Sequence, residues 1–151
     1  MDRRLFLVAS AGVLALPGVR PALAAEHQVQ MLNKGPNGER NWYEPSVTYA
    51  EPGDTIHFVA VDKLHNSESL VVPEGGETWK GQLSKDVSVT LTKPGVYAFK
   101  CAPHFGLGMV GLIVVGNSSD NLDEVKAARY PGLAKKRVEG LIEQVEKKLK
   151  S

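Results

Sequence analysis

The sequence holds one cysteine in 151 residues, Cys101, so no disulfide can form within the chain. An excess of charge of either sign is also missing. Eighteen Lys and Arg stand against 17 Asp and Glu, a formal net charge of +1. A balance so close to neutral excludes a general nucleic-acid partner and leaves electrostatic recognition to local clusters. No apolar run is long enough to cross a bilayer. The longest, Leu5 to Leu16, has about a dozen residues against the roughly 20 that a spanning helix needs. Internal repeats and low-complexity segments are absent as well.

The chain instead starts with an address. Asp2-Arg3-Arg4 is a charged beginning, the apolar run follows, and Ala22-Leu23-Ala24 supplies small residues for cleavage after Ala24 or Ala25. Residues 1–24 therefore read as a signal peptide for export to the periplasm, and Arg3-Arg4 before Leu5-Phe6-Leu7 fits the twin-arginine type. What remains is about 125 residues, one domain with an adequate core. Removing Arg3, Arg4, Arg20 and Asp2 takes a net two positive charges from the formal +1 and leaves the mature chain near −1.

Short strands with Gly/Pro punctuation dominate the next ninety or so residues, as expected of a sandwich. His27–Leu32, Val47–Tyr49, Thr55–Val61, Val87–Leu91 and Val96–Cys101 read as strands. Val110–Val115 is apolar and β-branched enough for a buried last strand. Past Gly116 the composition changes. Asp120 or Asn121 can cap a helix from Leu122 to about Ala128, and Pro131-Gly132 breaks it. Leu133, Val138, Leu141, Ile142, Val145 and Leu149 then share one helical face opposite lysines and glutamates. The expected architecture is an all-β sandwich over 25–116 with a two-helix extension, 117–151, packed upon it. The mixed polar face, without Trp or Phe on the other side, argues against a membrane-surface helix.

The lone thiol has company. Cys101-Ala-Pro103-His104-Phe-Gly-Leu-Gly-Met109 gathers a thiolate, an imidazole and a thioether in one loop between two strands, and His65 lies far upstream. Two histidines, a cysteine and a weak axial methionine are the donor set of a blue-copper electron-transfer site. Zinc would accept Cys and His, but its structural sites usually use more cysteines and no thioether. A catalytic copper centre needs further histidines. Of the four in the chain, only His27 and His57 remain, and both read as structural or surface residues. Copper delivery is the competing function, although no methionine-rich cluster supports it.

At these residues the chain resembles the cupredoxins, and among them the pseudoazurin family. The shared blocks are Met31-Leu32-Asn33-Lys34-Gly35, Pro52-Gly53-Asp54-Thr55, Val61-Asp62-Lys63, His65-Asn66, Pro73-Glu74-Gly75, Lys100-Cys101-Ala102-Pro103-His104, Gly108-Met109 and Asn121-Leu122-Asp123. The resemblance runs from about Val29 through the C-terminal helices and implies a Greek-key sandwich. It also implies one type 1 copper ion held by His65, Cys101, His104 and Met109, with Asn66 tying the two ligand-bearing segments together. A monomeric, non-enzymatic carrier of single electrons is implied as well. Its partners would be periplasmic redox proteins of denitrification, such as copper nitrite reductase or nitrous-oxide reductase, or a cytochrome. Docking would use an apolar patch beside His104 that includes Pro103, ringed by Lys34, Lys63, Lys80 and Lys100. The chain departs from the family at Leu64, where glycine is usual. The stretch from His65 to Pro73 is about two residues short, and one extra residue lies near Arg40-Asn41-Trp42, where Trp42 is either a docking or a packing aromatic.

Overall fold

The structure, a computed structural model, describes residues 22–151. Of the expected leader, 1–24, residues 1–21 with the Arg3-Arg4 pair lie outside the described residues, while Ala22–Ala24 and the cleavage region lie within them.

Eight strands make two sheets: β1 (Glu26–Lys34), β2 (Arg40–Glu44), β3 (Val47–Ala50), β4 (Asp54–Val59), β5 (Glu68–Val71), β6 (Val87–Leu91), β7 (Gly95–Lys100) and β8 (Val110–Val115). Two helices follow, α1 (Leu122–Ala127) and α2 (Leu133–Leu149). One sheet has the order β2-β1-β4-β6 and the other β3-β8-β7-β5. Both are mixed, because β1 runs parallel to β4 and β3 parallel to β8. The expected sandwich with two C-terminal helices is what forms.

Alternation explains the core. In β4, Ile56 and Phe58 are buried while His57 and Val59 are only half-buried. Between the sheets Tyr43, Phe58, Trp79 and Phe99 form an aromatic cluster. Tyr43 meets Phe99 edge-on at 4.7 Å between centroids, and Phe58 stacks on Trp79 at 5.6 Å. Cys101 and Met109 belong to this same buried cluster. The loop from Cys101 to Met109 is therefore rooted at both ends in the buried inter-sheet core.

Strand β8 is buried along its whole length because both of its faces are covered. Ile113 and Val115 face the inter-sheet core, whereas Val110, Leu112 and Val114 pack under the helices. Those helices contribute Val125, Ala134, Val138, Leu141, Ile142 and Val145 to the second layer. Burying a side chain of this size stabilises the fold by about 1.5–3 kcal/mol. A face of five or six such residues anchors the extension firmly.

Several sequence expectations need correction. Leu133 is 61% exposed and stands off the buried face of α2. Asn121 precedes α1 but does not cap it with its side chain. Its amide instead brackets β7: Oδ1 accepts from Val96 N at 2.7 Å and Nδ2 donates to Val96 O at 2.8 Å. That pair replaces a local cap with a long-range tie, fixing the start of the extension to the sandwich. Strands β2 and β5 add to the expected set; each lies at the edge of its sheet.

Candidate metal centre

Each donor is placed by a different piece of backbone. Cys101 directly follows β7 and Met109 directly precedes β8, and Cys101 N donates to Met109 O at 3.1 Å. Between them the chain makes a tight 3-10 turn over Phe105–Leu107, which closes when Gly108 takes φ 97. Only glycine adopts that left-handed backbone readily. Met109 N in turn donates to His104 O at 3.1 Å. The loop thus hydrogen-bonds to itself at both ends and in the middle.

His65 arrives on the link from β4 to β5. Its carbonyl accepts from Ser84 N at 2.8 Å, Asn66 O accepts from the Tyr43 hydroxyl at 2.6 Å, and Ser67 O accepts from Gly81 N at 2.8 Å. Three successive carbonyls are therefore fixed. Leu64, just before, sits at φ 68 and is 66% exposed. A left-handed leucine costs about 1 kcal/mol, which the anchored residues after it must offset.

Three donor atoms converge. His65 Nδ1 and His104 Nδ1 lie 3.1 Å apart, and Cys101 Sγ lies 3.8 Å from the first and 3.4 Å from the second. Among the described residues His65, Cys101 and His104 are the group of His, Cys, Asp and Glu donors close enough to share an ion. Met109 is fully buried beside them. His65 Nε2 lies 2.8 Å from Asn33 Oδ1. An amide oxygen only accepts, so Nε2 carries the proton and the Nδ1 lone pair faces the other donors. Two imidazole nitrogens and a sulfur at these spacings suit metal–ligand bonds of about 2.0–2.3 Å. A single cysteine with histidines is a soft, mixed donor set that favours copper over structural zinc.

The electrostatics of the two donors differ. Burial lowers the His65 pKa from its ordinary value, the neighbouring His104 lowers it further, and Asp62 opposes them. The ring is therefore neutral at neutral pH. Burial raises the Cys101 thiol, while hydrogen bonds from the Asn66 and His104 backbones pull it down. Metal uptake must then release a proton and weakens as pH falls.

The Asn66 side chain lies next to the two donor-bearing segments. Its Oδ1 accepts from Ala102 N at 2.7 Å, and its Nδ2 donates to Gly81 O at 3.1 Å. Two further contributors, Asn33 and Arg137, carry no sequence signal of their role. Arg137 on α2 donates from Nη1 to Gly108 O at 2.6 Å, Asn41 O at 2.9 Å and Arg40 O at 3.3 Å. Its guanidinium also covers the Trp42 ring at 5.0 Å. Trp42 is thus half-buried under Arg137, a packing role. One cation clamps α2, the start of β2 and the metal loop together. Arg137→Gln is expected to cost about 1.5 kcal/mol by losing charged donors to part-buried carbonyls, read as a lower urea midpoint. Its reduction potential should shift too; an unchanged potential would make the clamp purely structural.

The lysines separate into two kinds. Lys34, Lys63 and Lys80 are exposed. Lys100 is half-buried, with Nζ 3.3 Å from Glu68 Oε1 and 5.1 Å from the Phe105 ring centroid. Part of its charge is already spent within the chain. Pro103 is exposed and lines a shallow depression with Lys80 and Leu83.

A two-sheet sandwich that closes two imidazoles and a lone thiol over its aromatic core defines a cupredoxin-type, single-copper electron carrier. Residues 29–116 match the family described as copper binding proteins, plastocyanin/azurin family. The chain is 46% identical to the pseudoazurin of Paracoccus pantotrophus over 91% of its own length and 94% of that protein's. It resembles a solved Sinorhizobium pseudoazurin with a TM-score of 0.79 at 49% identity, covering 81% of this chain and 97% of that one. For native Hyphomicrobium denitrificans pseudoazurin the figures are 0.75, 46%, 79% and 97%. The chain belongs to the pseudoazurins, blue-copper proteins that bind one type 1 copper ion and carry electrons.

Proposed function

We propose that His65, Cys101 and His104 hold the copper, with the Met109 thioether as a weak fourth ligand. The protein would shuttle single electrons among periplasmic redox proteins: copper nitrite reductase, nitrous-oxide reductase or a cytochrome. The supporting observation is the convergence of three donor atoms within 4.8 Å, on backbone already locked from several directions. When bound, copper supplies the one-electron couple between its two oxidation states. The residues supply the rest. Hydrogen bonds from Asn33 and Ser84 hold His65, Asn66 holds the residue after Cys101, and the loop's own backbone bonds hold His104 and Met109, so little rearrangement accompanies a change of charge. Full burial of His65, Cys101 and Met109 keeps water out. The half-buried His104 is the edge through which an electron reaches a partner.

This reading divides the chain into a signal peptide (1–24), a sandwich (25–116) and helices packed upon it (117–151), acting as a monomer in the periplasm. No described helix is long and apolar enough to cross a membrane. Leu64, Leu83, Pro103 and Leu107 present exposed apolar surface from segments next to the site. Around it Lys34, Lys63 and Lys80 attract an acidic partner, and Lys100 adds what Glu68 leaves.

The test is a visible spectrum with copper(II), then ascorbate. An intense band that bleaches on reduction supports the carrier. A colourless protein that nevertheless holds metal would move copper delivery to the front. Docking has its own test. Reversing Lys34, Lys63 and Lys80 to Glu is expected to slow reduction of an acidic partner about 10- to 100-fold at low salt, with the difference fading at high salt. Unchanged rates would place docking elsewhere.

A further inference from the structure

Asp54, at the start of β4, is the buried acid among the described residues, with 5% exposure. Its Oδ2 accepts from Glu51 N at 2.9 Å and lies 2.8 Å from His27 Nε2, and its Oδ1 accepts from Ala25 N at 2.7 Å. The backbone hydrogen bond from Glu51, with help from His27 and Ala25, holds its carboxyl below the ordinary value against the effect of burial. Among the described residues no lysine or arginine reaches it; His27 alone stands at ion-pair distance. Buried carboxylates normally have a cation. This one has a backbone nitrogen where a cation would stand.

That nitrogen belongs to Ala25, in the stretch Ala22-Leu23-Ala24-Ala25. Ala25 is also the first residue joined to the sheet through both backbone groups, since its carbonyl accepts from Thr55 N at 3.0 Å. Leu23, two residues before, is 94% exposed. We infer that the Ala24–Ala25 peptide bond is the processing site and that the ammonium released at Ala25 becomes a counter-ion of Asp54 at Oδ1, opposite His27 at Oδ2. The inference rests on the export reading above and narrows it to one bond.

The chemistry balances with a signal peptidase as the hydrolase. Water adds to the Ala24 carbonyl carbon and the bond to Ala25 nitrogen breaks. Ala24 leaves as a carboxylate, and Ala25 keeps the nitrogen, protonated, 2.7 Å from Asp54 Oδ1. A neutral amide donor becomes a charged one at the same position, and charge-assisted bonds are about twice as strong as neutral ones. Cleavage one residue later would instead delete both the Asp54 and the Thr55 bonds and leave the buried carboxylate with His27 and Glu51 alone. Export would then complete the fold as well as release the domain.

Two measurements test it. The full chain is expressed in an exporting Gram-negative host and the mass of the periplasmic product is taken. Mature chains starting at Ala25, with a free or an acetylated amine, are then unfolded in urea alongside their Asp54→Asn counterparts. The expected product begins at Ala25. The free-amine chain should have a folding equilibrium constant about tenfold larger than the acetylated one, with the gap closing in D54N. A product beginning at Glu26, or equal stability of the free and acetylated chains, overturns the inference. The comparison of free with acetylated amine needs no substitution, so it decides the matter even if the D54N chain does not fold. An uncleaved cytoplasmic product beside a tenfold gap would overturn export, and cleavage with it, while leaving the ion pair standing.

Discussion

Copper(II) added to the Cys101→Ala protein is expected to give no intense visible band, and a chelator should strip the metal orders of magnitude faster than from the unchanged protein. The chain has no other thiol, so no second thiolate can move in, and the Met109 thioether is no substitute for one. The residual nitrogens, His65 Nδ1 and His104 Nδ1, remain 3.1 Å apart on anchored backbone and give at most a weak, pale site. The fold should survive. Removing one buried sulfur leaves a small cavity against the aromatic cluster, which costs about 1–2 kcal/mol in a core of this kind. Far-ultraviolet circular dichroism of the copper-free variant checks that point. An intense band that persisted would sink the assignment of the sulfur to the metal.

Asn66→Ala has the larger structural effect. It leaves Ala102 N–H and Gly81 C=O without their partner; Ala102 is exposed and can turn to water, so the penalty of about 1–3 kcal/mol falls on the buried Gly81 carbonyl. The same change frees Ala102, next to Cys101, so the thiolate loses its reference to the His65 segment. Copper affinity should fall about 10- to 100-fold, as it does when outer hydrogen bonds to metal ligands are removed. Urea unfolding of the apo-protein and chelator competition of the loaded protein separate the two effects. Lower stability with unaltered affinity would show that Asn66 braces the sandwich without positioning the sulfur. Asn66→Asp keeps the acceptor for Ala102 but loses the donor to Gly81, and should fall between.

Much of this is readable from the sequence, for reasons that differ from residue to residue. Ile56 and Phe58 alternate with polar neighbours because β4 lies inside its sheet with one face on the core. The apolar run of β8 needs two covered faces, and the helices that cover the second are written as an amphipathic stripe. Cys101, His104 and Met109 announce themselves by residue type within one short loop. Strands β2 and β5 do not, because neither alternates apolar with polar residues over its length, and all four residues of β5 are half-buried. Asn33 and Arg137 are hidden for another reason. Asn33 meets a ring 32 positions away, and Arg137 meets carbonyls 96 and 97 positions away. On α2 that arginine is one more charge on a charged face. Lys100 carries a family pattern, but Glu68, which absorbs part of its charge, lies across a strand pairing that the sequence does not display.

The half-exposed ring of His104 has a kinetic consequence. With His65, Cys101 and Met109 sealed, the proposed exit at His104 would make a donor and an acceptor occupy the same small area of surface in turn. On that proposal no three-protein complex would pass an electron straight through. Each delivery therefore contains two departures, and throughput is governed by how fast complexes come apart. An excess of either partner would then act as a competitive inhibitor of the other, so flux should peak at a balanced ratio of the two and decline on both sides of it.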